Sequence, residues 1–126
     1  MNKELPKNIE AEKCLIGSMF WSNESLQKGC EEVEKEIFYL DSHAKIFEAI
    51  KSLYLNNTPV DITSLTTYLI SIDKINEVGG VEYLNEIVNS VATGANIEYY
   101  INLVSDKYTL RKMIEVATDI VNKATN

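Results

Sequence analysis

The chain has one histidine, two cysteines and two prolines in 126 residues, and these scarcities close off several classes of function. With His43 alone, no second imidazole exists to activate a serine or threonine, and a Ser-His-Asp relay would have to recruit that one side chain. A lone histidine in the first turn of a helix reads as a structural hydrogen-bonding or capping residue. Cys14 and Cys30 are too few for a disulfide framework, and neither has a CxxC partner for zinc. Cys14 lies in an apolar helical run and reads as small core filler. No GxxxxGK[ST] run is present, so no backbone cradle for a nucleotide phosphate can be drawn. Gly79-Gly80 lacks the lysine and hydroxyl residue that would have to follow. The acidic group Glu31, Glu32, Glu34 and Glu36 has no Glu-x-x-His pairs of the di-metal kind and reads as a solvated face. Asn2, Lys3 and Glu4 are polar where a signal peptide would begin, and no apolar run approaches a membrane span. The expectation is a soluble cytoplasmic protein with no catalytic residue, cofactor or metal in this chain.

Positive charge is also short. Twelve Lys and Arg stand against nineteen Asp and Glu, a net charge of −7. Affinity for nucleic acid comes largely from cations that neutralise phosphates, so the average surface repels a duplex. The only compact basic group is Lys107, Arg111 and Lys112, flanked by Asp106 and Glu115.

What is present is helical periodicity. A content of 45% apolar residues is enough for one small domain with one core. From Ile9 to Trp21 the apolar side chains Ala11, Leu15, Ile16, Met19 and Phe20 recur at three- and four-residue steps, with Asn8 as cap. Asn23 and Ser25 are cap residues for a second helix to about Val33 that turns Leu26 and Cys30 inward. After an aromatic-rich bend at Ile37 to Leu40, Asp41 or Ser42 starts a third helix with Ile46, Phe47, Ile50, Leu53 and Tyr54. Asp61 caps a fourth carrying Leu65, Tyr68, Leu69 and Ile72. Gly79 and Gly80 make a sharp turn into a fifth with Tyr83, Leu84, Ile87, Val88 and Val91. Asn96 caps a long last helix. The reading is an all-α fold, a compact bundle of about five to six helices: a globular head over 1–95 and a long helix over 96–126.

On that last helix, at about 100° per residue, Ile97, Tyr100, Ile101, Val104 and Tyr108 share one side. Beyond Thr109 the apolar residues Leu110, Met113, Ile114, Ala117, Ile120, Val121 and Ala124 gather on nearly the opposite side. The second stripe needs a surface outside its own domain, unless a kink near Lys107 to Thr109 folds both stripes onto one core.

Taken in order, these pieces resemble a known family. Glu10-Ala11-Glu12 with Leu15-Ile16-Gly17-Ser18, Phe38-Tyr39, His43 with Ile46-Phe47, Pro59-Val60-Asp61, Val78-Gly79-Gly80 with Tyr83-Leu84, and Asn96 with Tyr99-Tyr100 are similar to the amino-terminal domain of DnaB-type bacterial replicative DNA helicases. Ala92 to Ala95 departs from it, lacking the proline often found before this stretch. The resemblance implies a ring collar built from helical hairpins, with dimers assembled into a hexamer as a trimer of dimers, that receives the primase carboxyl-terminal domain. It implies that a helicase loader mostly engages the linker and motor domain. The long helix becomes the first hairpin arm. The second arm, the linker and the motor domain with its ATP and Mg would lie beyond Asn126. Glu10, Tyr83, Ile114 and Ile120 resemble positions facing primase or the hairpin, while Gly17, His43, Asp61, Gly79, Gly80 and Asn96 take structural places.

The rival reading is a small helical DNA-binding regulator that uses the Gly79-Gly80 turn. Its recognition helix would carry Glu82, Tyr83, Asn85, Glu86 and Asn89, acidic and poor in arginine. The two readings diverge in a gel-shift titration of the isolated chain with duplex DNA. The collar reading expects no retardation at physiological salt, whereas tight, salt-dependent retardation favours the regulator.

Overall fold

The computed structural model describes residues 4–91 and 96–126; Thr93, Gly94 and Ala95, where the apolar pattern breaks, lie outside the described residues. Among those described there are six α-helices, one short 3-10 turn and no strand.

The first helix, α1 (Ile9–Ser18), starts as its sequence dictates, with the Asn8 side chain accepting from the Ala11 N–H at 3.0 Å. It stops before Trp21. The N–H groups of Phe20 and Trp21 bond three residues back, to the Gly17 and Ser18 carbonyls at 3.1 and 3.2 Å, tightening the last turn. Trp21 is exposed. The next helix, α2 (Asn23–Glu32), is capped by Ser22 and not by Asn23 or Ser25. Ser22 is extended, and its hydroxyl accepts from the Ser25 N–H at 3.0 Å, so Asn23 is already the first helical residue.

The 3-10 turn Lys35–Ile37 leads to α3 (Asp41–Leu55). The expected caps, Asp41 and Ser42, lie inside α3. The cap position is Leu40, which has no side-chain acceptor to offer. A carboxylate from α1 serves this entry, as described below. The fourth helix, α4 (Ile62–Ser71), has a reciprocal capping box: Asp61 accepts from the Ser64 N–H at 2.7 Å, and the Ser64 hydroxyl accepts from the Asp61 N–H at 3.0 Å. Gly79 and Gly80, at φ of 103° and 75°, turn the chain into α5 (Gly80–Val88) through left-handed conformations that other residues resist. Asn96 caps the 29-residue α6 (Ile97–Thr125), accepting from the Glu98 N–H at 3.0 Å.

Packing centres on α1, which touches α2, α3, α5 and α6. Leu15 and Ile16 are fully buried there, against a core that includes Ile50, Phe47, Leu84 and Val104. Gly17 is what lets α5 come close: a Cβ at this position would run into the Ile87 carbonyl oxygen and lie 2.8 Å from Ser90 Oγ. The obstacle is backbone, which cannot rotate aside. Gly17→Ala is therefore expected to cost about 1–3 kcal/mol of unfolding free energy, read by urea denaturation. A loss below about 0.5 kcal/mol would mean that α1 and α5 can separate freely.

Candidate docking surface and the buried network behind it

The two halves of α6 meet different surroundings. Ile97, Ile101 and Val104 are buried on the head, with Tyr100 and Tyr108 half-buried beside them. Leu110 and Ile114 are 41% and 42% exposed, while Met113, Ile120 and Val121 reach 61%, 61% and 58%. Ala117 and Ala124 are exposed in the same stretch. The helix is continuous across Lys107 to Thr109, so the two stripes are not folded onto one core. Val116, missing from the stripe as read, is also exposed and lines an open groove with Met113, Ala117 and Ile120. The charged residues of this half pair along the helix, Lys112 with Glu115 at 3.3 Å and Lys123 with Asp119 at 3.1 Å. An apolar strip rimmed by locally paired charges suits a protein surface better than a phosphate backbone.

Two of the three members of the compact basic group are engaged within the chain. Arg111 donates to the carbonyls of Pro6 and Ile37, both at 2.8 Å, and Lys112 is paired as above. The face offered for a DNA groove is no better suited. Glu82, Asn85 and Glu86 are exposed on α5 and Asn89 just after it, and Glu86 holds Lys13 at 2.6 Å.

Of the four positions that resemble primase-facing or hairpin-facing ones, Glu10 is exposed at the start of α1, 3.5 Å from Lys13. Because Lys13 also reaches Glu86, the edge of α1 with Glu10 lies beside α5, where Tyr83 stands one turn before Glu86. Ile114 and Ile120 sit on the exposed half of α6. Tyr83 is half-buried, and its hydroxyl points inward to His43 Nε2 at 2.6 Å.

That contact belongs to a network which sequence reasoning missed. Glu12 is 1% exposed. Its carboxylate accepts from the Tyr39 N–H at 2.6 Å and the Leu40 N–H at 3.4 Å, at the entry of α3, and lies 2.7 Å from His43 Nδ1. His43 is wholly buried, and its ring stacks on that of Tyr83 with centroids 5.8 Å apart. With Nδ1 donating to the carboxylate, Nε2 is left to accept the Tyr83 hydroxyl proton, so each polar atom is satisfied. The register carried a signal: Glu12 lies on the stripe Glu12, Leu15, Ile16, Met19, where a carboxylate needs donors. His43 is 0% exposed, so its ring faces protein on every side. Cys30 is likewise core, its thiol pushed up to about 11 by burial. Among the described residues, no group of three or more His, Cys, Asp or Glu is gathered as a metal site.

Removing one member of this network strands the others. Glu12→Ala is expected to cost about 3–5 kcal/mol, as for a buried pair broken on one side, and Tyr83→Phe about 1–3 kcal/mol. Chemical denaturation measures both. Equal small losses would show that water replaces the missing partner.

Similarity to known proteins agrees with this geometry. Residues 4–106 match the model of the family described as DnaB-like helicase N terminal domain. The replicative DNA helicase DnaC of Bacillus subtilis is 43% identical over 115 residues, covering 91% of this chain and 25% of that protein. The replicative DNA helicase DnaB of Geobacillus stearothermophilus is 38% identical over the same shares. The chain thus spans about a quarter of the length of these relatives. The crystal structure of the N-terminal domain of DnaB helicase from Mycobacterium tuberculosis superposes with a TM-score of 0.92 at 28% identity, covering 98% of this chain and 89% of that one. The chain belongs to the DnaB-like helicase N-terminal domain family.

Proposed function

We propose that this chain is the collar of a hexameric replicative helicase, joining copies of itself and receiving the carboxyl-terminal domain of primase. The observation that carries this reading is the apolar strip of α6 from Leu110 to Ala124, exposed along an unbroken helix. Burying a Leu, Ile or Met side chain fully is worth roughly 1.5–3 kcal/mol, so a few of them suffice to drive association. Residues 1–95 act as the head and 96–126 as the first arm of the dimerisation hairpin. Leu110, Met113, Ile114, Ala117, Ile120, Val121 and Ala124 contact the returning arm and a neighbouring copy. Ile114 and Ile120, with Glu10 and Tyr83 at the edge of the head, contribute to the primase-facing side. The dimers assemble as a trimer of dimers. The parent protein unwinds duplex DNA in the bacterial cytoplasm, with ATP and Mg held by a motor domain. A helicase loader acts mainly on the linker and that motor.

The DNA-binding regulator is disfavoured by one specific contact. Arg111, the centre of the basic group, is turned inward and donates from both terminal nitrogens to carbonyls of its own chain.

Sedimentation equilibrium of the chain, and of a longer one extended through the second hairpin arm, tests the proposal. Ile114→Asp with Ile120→Asp should weaken self-association of the longer chain, or its affinity for the primase carboxyl-terminal domain, by at least about 100-fold, since two apolar contacts of this size are worth about 3 kcal/mol or more. The circular dichroism of the head should not change. Unchanged mass together with unchanged primase affinity would overturn it.

A further inference from the structure

Arg111 marks the end of the supported part of α6. Every residue from Lys112 to Asn126 is exposed, whereas Arg111 is half-buried. Its two terminal nitrogens bond different parts of the chain: one the Pro6 carbonyl, in the segment entering α1, the other the Ile37 carbonyl, at the end of the 3-10 turn. Neither carbonyl lies in an α-helix. The guanidinium carbon is 5.5 Å from the centre of the Tyr39 ring and 5.8 Å from that of Tyr108, and the Lys7 ammonium lies 4.7 Å from the same Tyr39 ring. A planar fork with fixed donor directions suits two carbonyls on different segments better than the point charge of an ammonium does. Because both acceptors are neutral, added salt screens these bonds far less than it would an exposed ion pair.

The stretch beyond Arg111 has no contact with the head to hold it helical, and isolated helices of this length are marginal in water. Fraying from the carboxyl end therefore advances until it meets a tie. The backbone at Arg111 must be helical for the fork to reach both carbonyls, and both carbonyls must be in place for the fork to close.

We propose that Arg111 is a latch that stops this fraying and, in the same contact, seats the amino-terminal segment around Pro6, so that the order of α6 and the order of residues 4–8 rise and fall together. The coupling acts in both directions, as any linkage must. Whatever covers the apolar half of α6 steadies the helix and thereby the amino-terminal segment, which touches none of that cover. The latch does not depend on what the cover is, and it can be tested in the dilute chain even if self-association fails.

Backbone NMR of the intact chain provides the test. In Arg111→Ala, amide exchange over 105–112 is expected to accelerate about tenfold or more, and the heteronuclear NOE of Leu5, Lys7 and Asn8 to fall. Amides of Leu15, Ile50 and Leu84 should keep their protection. Arg111→Lys, with a single ammonium, should free at least one of the two carbonyl segments. Thr109→Gly, at an exposed position, should weaken the helix about twofold and loosen Leu5 to Asn8 with it. The latch is ruled out if Leu5 to Asn8 ignore Thr109→Gly, if Arg111→Lys behaves as the unaltered chain, or if acceleration spreads evenly through the core.

Discussion

A carboxylate cannot stand alone among hydrocarbon side chains, and the architecture of the head follows from how Glu12 avoids doing so. It lies on the inner face of α1, the helix that touches α2, α3, α5 and α6. Its partners are the two N–H groups at the entry of α3 and the ring of His43 one turn into that helix. Through His43 the same chain of bonds reaches Tyr83 on α5. Three helices that meet mainly through shape-tolerant apolar contacts are thereby set in one relative placement, because hydrogen bonds have direction and hydrocarbon does not. Gly17 completes the arrangement by letting α1 and the end of α5 approach to backbone contact.

The outer part of α6 follows different rules. Its apolar residues are arranged as regularly as those of the core, yet they face solvent. The collar proposed above gives this arrangement a purpose, and the chain spans about a quarter of the length of its relatives. The polar network at the centre of the head joins α1, α3 and α5.

Legibility in the sequence tracked the range of the interactions. The apolar stripes were readable because helical periodicity assigns a face to each residue whatever later covers it. The caps Asn8, Asp61 and Asn96 were readable because a cap and its target N–H lie within a few residues. Ser22 was missed between two equally suitable residue types, since backbone angles decide which of them caps. The support at the entry of α3 could not be found by looking nearby: its acceptor, Glu12, is 27 residues before Tyr39. Arg111 stood out only as a member of a compact basic group for the same reason, its acceptors lying 105 and 74 residues away.

One consequence of the continuous α6 is mechanical. From Arg111 to its tip the helix extends for about 21 Å at 1.5 Å per residue, with the ion pairs Lys112–Glu115 and Lys123–Asp119 running along its own length. Once its apolar side is covered and the helix steadied, it is a lever arm: tilting it by about 10° at the pivot would carry the tip through about 4 Å, close to the width of a side chain. An adjustment too small to disturb the packing of Val104 is enough to change which residues meet at the far end.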